Sequence, residues 1–278
     1  MKYQFLIENK TYHEGILAEH GLSIYIETEE RKILFDAGAS DAFSLNADRM
    51  GIDLSQVDLA VVSHGHSDHT EGFPLFSRIN SAAPIYMHKN AFRLSHGFSD
   101  GKIEEEMSGI RWNDEVKRAM EDRIHFTDGP CWITDNIVIS GTIPYAEGFV
   151  PSEKFYYYNL DGHPVEDDMS HEQCLVIREE EGLCVFSGCS HRGVISALNA
   201  AKELFPGEQV AVLVAGMHLY VADNQTRAAL IEELAGADIG RVLPVHCTGM
   251  EATCEIKARL RDRCVIAGAG DTFHGSQG

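Results

Sequence analysis

The chain is organised around one stretch, SHGHSDHT at residues 63–70, which directly follows the apolar run VDLAVV at 57–62. The apolar run predicts a buried strand, and binding or catalytic residues concentrate in the loops beyond strand ends. Side chains two positions apart on extended backbone point the same way, so His64 and His66 can bind one cation. Imidazole nitrogen suits zinc, iron or manganese. The stretch therefore predicts a metal site at a strand end.

The second part of this stretch offers two more ligands. If the chain turns into a helix after His66, Asp68 and His69 can reach a second cation, and Gly65 permits the tight turn that precedes them. A single loop histidine is usually a solvated polar residue. Three histidines and one aspartate between positions 64 and 69 are not explained that way, and we take all four as candidate ligands.

Composition limits the classes of partner. The chain has 278 residues, enough for a deep core, and its formal net charge is −20 from 43 acidic and 23 basic residues. Such a surface repels phosphate backbones, so we expect no nucleic-acid partner. A small anionic substrate would depend on local cations, most plausibly metal ions. No linker, repeat or low-complexity block interrupts the sequence, and we interpret residues 1–278 as one domain.

The cysteines and the apolar runs bear on location. No segment approaches the ~18 uninterrupted apolar residues of a membrane span, and the N-terminus has no signal-peptide pattern. The seven cysteines include no C-x-x-C pair, and Cys174 and Cys184 lie in apolar, strand-like runs. We therefore expect a cytoplasmic protein with free thiols, and the sequence leaves its oligomeric state open.

The first half of the chain alternates strand and helix patterns. Asp36 closes the third strand in ILFDAG at 33–38, where its residue type suits a helix or turn cap. His20 either lines the cleft or lies at the surface. Residues 97–122 are weakly patterned, and 148–169 are loop-like but aromatic, as a strand or a lid. The predicted strands are 3–7, 22–27, 32–36, 57–62, 83–88, 123–127 and 131–140, and the predicted helices are 41–50 and one that begins at 72.

In the second half, three predicted strand ends each present a histidine. The segments are 188–191 with His191, 216–218 with His218 and 246–249 with His246. Three such coincidences argue for a shared cleft. The remaining predicted elements are a hairpin at 174–177 and 183–186, a helix after 193, a strand at 210–214, helices at 224–235 and 251–261, and a closing strand at 264–267.

These motifs together resemble the metallo-β-lactamase superfamily, whose members carry His-x-His-x-Asp-His at this kind of position. The resemblance implies an αββα sandwich, with two mixed sheets flanked by helices. The motifs GCSH, GMHL and HCTG at 188–191, 216–219 and 246–249 are similar to the branch labelled 7,8-dihydropterin-6-methyl-4-(β-D-ribofuranosyl)-aminobenzene-5′-phosphate synthase-like. The ligands that the resemblance implies are His64, His66, Asp68, His69, His191 and His246. For Asp36 the resemblance implies a role in fixing the metal loop from behind, as the alternative to a cap.

The chain departs from the superfamily pattern at one position. Many relatives have Gly-Asp where this chain has SGC at 187–189, and that aspartate bridges two metals in those relatives. Cys189, Glu172 or a bridging hydroxide could take its place here. We expect His191 to be a ligand and Cys189 to line the site without being the main ligand.

The resemblance implies metal-assisted hydrolysis. A divalent metal lowers the pKa of bound water toward about 7 and polarises a carbonyl or phosphoryl oxygen. The expected cofactors are two divalent transition-metal ions, zinc before iron or manganese. Asp68 would bind metal and handle a proton, and His218 would donate to a developing oxyanion or be a core histidine. We expect hydrolysis of a small phosphoester, lactone or related ester.

The alternatives are an RNA-processing nuclease and a non-hydrolytic pterin-related, redox or binding protein. The acidic charge disfavours the nuclease. Redox relatives of the flavodiiron type carry a glutamate where this chain has His66, together with a flavodoxin domain.

Overall fold

The computed structural model describes residues 1–275 and contains two large sheets and one small one. The first sheet has seven strands, the second six and the third four. The third is called the cover sheet below.

The strands are β1 (Lys2–Ile7), β2 (Ser23–Glu27), β3 (Lys32–Phe35), β4 (Leu59–Val61), β5 (Ile85–His88), β6 (His96–Ser99), β7 (Lys102–Met107), β8 (Ile124–Thr127), β9 (Cys131–Trp132), β10 (Ile137–Ile139), β11 (Phe155–Tyr158), β12 (Pro164–Glu166), β13 (Cys174–Glu179), β14 (Gly182–Ser187), β15 (Val210–Ala215), β16 (Ile239–Pro244) and β17 (Thr272–His274). The helices are α1 (Ala42–Arg49), α2 (Ser67–Thr70), α3 (Phe73–Ile79), α4 (Asp114–Met120), α5 (Val194–Leu204), α6 (Asn224–Gly236) and α7 (Met250–Leu260). The first sheet has the strand order β17-β1-β2-β3-β4-β5-β8, the second has the order β16-β15-β14-β13-β10-β9, and the cover sheet has the order β12-β11-β6-β7.

Side-chain alternation in the strands builds a four-layer sandwich. In β14, Val185 faces a core shared with α5, α6 and α7, whereas Phe186 faces a core between the two large sheets. In β3, Leu34 faces a core shared with α1, α3 and α4, and Phe35 faces the core between the sheets. Because successive strand residues point to opposite faces, each large sheet is buried on both sides. The αββα sandwich implied by the resemblance is confirmed.

Parallel pairing brings several strand ends to one edge. In the first sheet β3, β4 and β5 run parallel, and in the second β14, β15 and β16 run parallel. The side-chain amide of Gln173 ties the two sheets together there, since its Nε2 donates to the carbonyl of Val62 at 2.8 Å. The loops beyond these strands therefore meet in one place.

Two regions differ from the sequence expectations, and in a third the structure contains one of the two expected alternatives, a strand. The weakly patterned segment 97–122 contains most of the β6–β7 hairpin and all of α4. The β7 strand is largely exposed and carries a run of glutamates, so it lacks the apolar alternation that marks a strand. The predicted strand at 131–140 is split, because a turn separates β9 from β10. The aromatic segment at 148–169 supplies β11 and β12 of the cover sheet.

The predicted closing strand at 264–267 is wrong. Cys264 makes an isolated bridge to Val242, and residues 265–268 are irregular. Ala267 is fully buried in the core between the sheets, so the apolar run reflects burial without strand pairing. The first sheet instead gains β17, which pairs antiparallel with β1.

Two expectations about location can be compared with the described residues. None of the helices within residues 1–275 is long and apolar enough to cross a membrane. All seven cysteines are free thiols, and Cys174 and Cys184 are buried as predicted.

Candidate metal centre

The strand ends deliver the candidate ligands. His64 follows β4, and His66 is the last extended residue before α2. In the second sheet, Ser187 of β14 lies beside Ala215 of β15, which lies beside Pro244 of β16. The three histidine-bearing segments that follow are therefore neighbours, and the shared cleft predicted from the sequence is present.

Unusual backbone angles mark these ends. The φ angle is +49° at His218 and His246, +54° at Ser190 and +56° at Asp36. Residues with a Cβ rarely adopt this left-handed region, and each such residue costs about 1 kcal/mol or more. Their concentration at one edge indicates that the fold positions these residues at the expense of local backbone energy.

Two glycines allow the strand ends to approach closely. A Cβ at Gly188 would lie 2.2 Å from Ser63 Oγ, and a Cβ at Gly216 would lie 2.3 Å from the Gly188 carbonyl oxygen and 2.7 Å from Cys247 Sγ. Both distances to oxygen are far inside van der Waals contact. Any larger residue would push apart the segments that carry the candidate ligands.

His64, His66 and His191 form the first group, called the His64 subsite. The ring centroids are 4.6 Å apart for His64 and His66, 5.0 Å for His64 and His191, and 4.8 Å for His66 and His191. All three Nε2 atoms are buried without a hydrogen-bond partner. Ser63 Oγ lies 2.9 Å from His64 Nδ1 and donates to Asp36 Oδ2, so it accepts from Nδ1–H and leaves a lone pair on Nε2.

His69, Asp68 and His246 form the second group, called the His69 subsite. Asp68 Oδ2 lies 3.1 Å from His246 Nε2 and 3.8 Å from His69 Nε2. The far side of each ring is fixed, because His69 Nδ1 lies 2.7 Å from Asp36 Oδ2 and His246 Nδ1 lies 2.8 Å from Asn9 Oδ1. Such partners fix which nitrogen faces a metal.

The sequence allows two interpretations for each of Asp36 and His20, and the structure distinguishes them. Asp36 is fully buried, and Oδ1 accepts from the Ser63 backbone N–H at 2.7 Å, so it supports the metal loop from behind. His20 Nε2 lies 3.3 Å from Asp68 Oδ2, and its side chain is 63% exposed. His20 therefore lies at the mouth of the cleft.

Cys189 lies between the two subsites. Its sulfur lies within 4.8 Å of the ligand atoms of His64 and His191, and also within 4.8 Å of those of His69 and His246. The distance from Sγ to His69 Nε2 is 3.2 Å. Cys189 lines the site as expected, and it lies at the position from which both subsites can be reached.

Glu172, unlike Cys189, is held by hydrogen bonds to the backbone. Its two carboxylate oxygens accept the backbone N–H groups of His191 and Arg192, both at 2.7 Å. Burial raises the pKa of Glu172, and the two N–H groups oppose that shift. Glu172 therefore holds the turn that carries His191.

His218 is paired with Glu153, which lies on the loop before β11. His218 Nε2 contacts Glu153 Oε2 at hydrogen-bonding distance, and His218 Nδ1 is buried without a partner. Burial disfavours the charged ring, but the adjacent Cys247 sulfur and Glu153 carboxylate outweigh burial and raise the pKa of His218 to about 10. The His218 side chain is therefore suited to carry a proton at neutral pH.

Sequence reasoning missed several supporting residues. Glu153 and Asn9 contact ligand candidates that are distant along the chain, so no local spacing identifies them. His171 is buried beside His64, but its Nδ1 accepts the Gly65 backbone N–H at 3.1 Å and its Nε2 lies 3.5 Å from a carboxylate oxygen of Asp167. His171 therefore supports the loop that contains Gly65. Its position three residues before the predicted strand at 174–177 was the one sequence feature that could have identified it.

Electrostatics differ between the subsites. Burial lowers the pKa of His66 to about 3, despite the opposing charge of Asp68. Burial, with the neighbouring imidazoles, also holds the pKa values of His64 and His191 well below the usual range. Burial opposes the charge on His69 too, but Asp68 and Asp36 raise its pKa to about 9. Neutral imidazoles are ready ligands, whereas a cation must displace a proton from His69.

The residues fit a pair of divalent cations. Nitrogen, carboxylate and thiol donors converge, and the Nε2 atoms of His64, His66, His191 and His246 are buried without hydrogen-bond partners. Buried polar atoms are normally hydrogen-bonded, so these unpartnered nitrogens indicate that they bind something else. The first three face one another in the His64 subsite, and His246 Nε2 faces the carboxylate of Asp68 at 3.1 Å. Zinc, iron and manganese all accept this donor set.

Two cavities adjoin the centre. The cleft over the candidate ligands has a volume of about 290 Å³ and is lined in part by His20, Asp68, Cys189 and His246. A second cavity of about 420 Å³ lies beyond His191 and His218 and is walled by residues 146–153 and by α6. Glu153 and His218 line both cavities, so they stand at the boundary between them.

Comparisons with known proteins agree with this geometry. The sequence profile described as the Metallo-beta-lactamase superfamily matches residues 17–190. The chain belongs to the metallo-β-lactamase superfamily. A 7,8-dihydropterin-6-methyl-4-(beta-D-ribofuranosyl)-aminobenzene-5′-phosphate synthase from Methanocaldococcus jannaschii is 30% identical over 253 residues, which cover 87% of this chain and 85% of that protein. The resemblance to this branch of the superfamily is thereby confirmed.

Two further relatives align with this chain over very different fractions of their own length. A crystal structure of a metal-dependent hydrolase of the beta-lactamase superfamily superposes with a TM-score of 0.83 at 28% identity, covering 100% of both chains. Ribonuclease J 1 from Streptococcus pyogenes is 25% identical over 85% of this chain, which corresponds to 44% of the ribonuclease. The chain therefore has the fold of metal-dependent hydrolases of this superfamily, whose members typically bind divalent metals.

Proposed function

We propose that the protein is a hydrolase that uses two divalent transition-metal ions, zinc before iron or manganese, to cleave a small phosphoester, lactone or related ester. The observation that carries the proposal is the set of four buried, unpartnered histidine Nε2 atoms, those of His64, His66, His191 and His246. Three of these histidines, His64, His191 and His246, also share compact ligand groups with Cys189. The hydrolase of the superfamily with a TM-score of 0.83 supports the reaction class.

The candidate ligands are assigned to two ions by their proximity. The His64 subsite would hold one ion and the His69 subsite the other. When bound, such ions acidify a water and polarise the oxygen of the scissile bond. The ligands are His64, His66, Asp68, His69, His191 and His246.

Two side chains are proposed to move protons. Asp68 has one carboxylate oxygen near His69, His246 and His20 and is partly open to the cleft, so it can orient a water or accept its proton. His218 is held by Glu153 and favours the protonated ring, so it can stabilise a developing oxyanion or protonate a leaving group.

The cavities favour a small substrate with one anionic or polarised group. In the part of the chain that the structure describes, Arg111 is the one Lys or Arg that lines the cleft, and it is paired with Glu106 at 3.1 Å. The adjoining cavity is lined by apolar side chains and by acidic ones such as Glu147 and Glu233, with no Lys or Arg among its described residues. Metal ions would therefore meet the reacting group, and an uncharged moiety would occupy the second cavity.

RNA cleavage is the second candidate, because the chain aligns with part of a ribonuclease J. The net charge of −20 and the acidic lining of the cleft oppose binding of a polyanion. A pterin-related, redox or binding role remains the third candidate. We also propose one domain, a cytoplasmic location and no nucleic-acid partner.

A substrate panel tests the proposal. Purified protein loaded with zinc or manganese is assayed on bis(p-nitrophenyl) phosphate, a simple lactone, a thioester, a β-lactam and a short RNA. We expect phosphodiester or lactone turnover that a chelator abolishes and added metal restores. Efficient RNA cleavage that falls steeply with salt would favour the nuclease, and silence across the panel with two ions bound would contradict the proposal.

A further inference from the structure

Cys189 is the side chain shared by the two subsites. One compact group contains His64, Cys189 and His191, and another contains His69, Cys189 and His246, with the ligand atoms of each group within 4.8 Å of one another. Every member of both groups is buried. A donor that belongs to both groups is geometrically placed to reach two ions.

The sulfur already lies close to one candidate nitrogen ligand. Cys189 Sγ and His69 Nε2 are 3.2 Å apart, at hydrogen-bonding distance. With zinc–sulfur bonds near 2.3 Å and zinc–nitrogen bonds of 2.0–2.1 Å, sulfur and nitrogen on one tetrahedral ion lie about 3.6 Å apart, so a small widening of this contact admits an ion. The Nε2 atoms of His64, His191 and His246 have no hydrogen-bond partner, so they stay available to the same ions.

The other acidic and thiol groups nearby are engaged elsewhere. Both Glu172 oxygens accept backbone N–H groups. The sulfur of Cys247 lies 3.3 Å from the His218 backbone nitrogen, which donates to it, and 3.6 Å from the Cys189 carbonyl oxygen. Cys247 belongs to a compact group with Cys189 and His218, but it is in neither of the two groups that contain the histidines of the subsites.

We propose that Cys189 binds as a thiolate that bridges the two ions, in the position that an oxygen ligand would otherwise occupy. The inference rests on the proposed dinuclear site, but it does not depend on which substrate is cleaved. On binding, the S–H bond breaks, its proton passes to solvent, and sulfur lone pairs are donated to both ions. No electrons are transferred. A thiolate bridge also selects for zinc or iron over manganese.

X-ray absorption at the zinc edge measures the number of sulfur ligands per ion. The decisive sample is zinc-loaded Cys247→Ser, in which Cys189 is the one thiol left at the centre. A bridge gives one sulfur per zinc there, because both ions see the same atom. A terminal Cys189 gives half a sulfur per zinc, and that value would overturn the proposal.

Cys189→Ser should lose the sulfur signal, while wild type and Cys247→Ser keep it. Cobalt-loaded protein gives a second readout, because thiolate-to-cobalt charge-transfer absorption should vanish in Cys189→Ser and persist in Cys247→Ser. Cys189→Asp is the control in case Cys189→Ser fails to fold. Its carboxylate supplies another bridging donor, so this variant should retain two ions and show no sulfur ligand.

Outcomes for the bridge and for hydrolysis are separable. One sulfur per zinc with no turnover on any substrate would leave the bridge standing and contradict the proposed function. A sulfur signal that survives in Cys189→Ser, or a single ion per chain in wild type, would overturn the bridge whatever the activity.

Discussion

The His64 subsite and the His69 subsite are adjacent, but they differ in the groups behind their imidazoles. His64 Nδ1 meets the neutral hydroxyl of Ser63 at 2.9 Å, whereas His69 Nδ1 meets the buried carboxylate of Asp36 at 2.7 Å. A carboxylate behind a histidine makes that histidine a more basic ligand. The pKa shifts agree, because that of His64 is lowered and that of His69 is raised to about 9.

The difference teaches that negative charge is concentrated on one side of the centre. Asp36 and Asp68 both lie at the His69 subsite, while the three direct candidate ligands of the His64 subsite are neutral imidazoles. Because a dication is stabilised by nearby carboxylates, we expect the His69 subsite to retain its ion more tightly. The predictions below test that asymmetry, beginning with the largest expected effect.

The largest effect should come from His66→Ala. Loss of this ligand should empty the His64 subsite and reduce the content from two ions to one, with turnover lowered about 100-fold or more. Elemental analysis and the substrate panel measure both quantities. His163→Ala, in the exposed turn between β11 and β12, is the matched control. Unchanged metal content in His66→Ala would contradict the ligand assignment.

Asp36→Ala should have the next largest effect. It removes the acceptor for Ser63 N–H, Ser63 Oγ–H and the His69 ring, so it should lower the free energy of unfolding by about 3 kcal/mol or more. The ion of the His69 subsite should be lost first. Denaturant titration, with and without zinc, measures the change.

Asp36→Asn is the matched variant for this test, since it keeps one acceptor oxygen. It should destabilise less than Asp36→Ala, but it should still weaken the His69 subsite because the charge is gone. Equal metal affinity in Asp36→Asn and wild type would show that the charge asymmetry has no effect.

A smaller effect is expected for Asn9→Ala. Asn9 Oδ1 fixes the ring of His246. Its loss should therefore lower the metal affinity of the His69 subsite about 10-fold and leave the affinity of the His64 subsite unchanged. Competition with a coloured chelator resolves the two affinities. Asn113→Ala, which removes the side-chain cap of α4, serves as a control for general destabilisation. An equal loss of metal affinity at both subsites would contradict the conclusion that the two subsites are supported separately.

The smallest effect concerns an outer support of the His64 subsite. Asp167 accepts from Ser95 Oγ at 3.1 Å and lies beside His171, which in turn holds the Gly65 N–H. Burial opposes its charge, but His171 and Arg93 outweigh burial and hold the pKa of Asp167 below its usual range. Asp167→Asn should cost about 1 kcal/mol at neutral pH.

The sign of the pH dependence follows from that lowered pKa. The stabilisation by Asp167 is fully present above the unfolded-state pKa of about 3.9 and is lost progressively as pH falls from there through the lower folded-state pKa. The difference in unfolding free energy between wild type and Asp167→Asn should therefore be constant from neutral pH to about pH 5 and shrink as pH is lowered further. A difference that stays constant below about pH 5 would mean that the carboxylate charge is not involved.

Much of the centre could be predicted from the sequence because strands and spacing are local signals. Residues 57–70 encode a strand and its ligands together, and apolar runs predict β14, β15 and β16, whose parallel ends then meet. These positions depend on periodicity and on the rules of parallel sheets. The supporting role of Asp36 was one of two possibilities, and it came from the resemblance to the superfamily.

The rest depends on contacts between distant residues. Asn9 supports His246 across 237 positions, and Glu153 reaches His218 across 65. The β6–β7 hairpin is exposed and polar, so no apolar alternation distinguishes it from a loop. The strand expected at 264–267 is a buried irregular segment, since burial alone also selects apolar residues.

The pairing of Asn9 with His246 has a consequence during protein synthesis. The first four candidate ligands emerge from the ribosome with residues 64–69, long before His191 and His246 are translated. A nascent chain therefore exposes four of its six candidate ligands, with no closed centre, until nearly 250 residues have been made. Correct metal selection is consequently a late event, governed by the ions available when the chain closes.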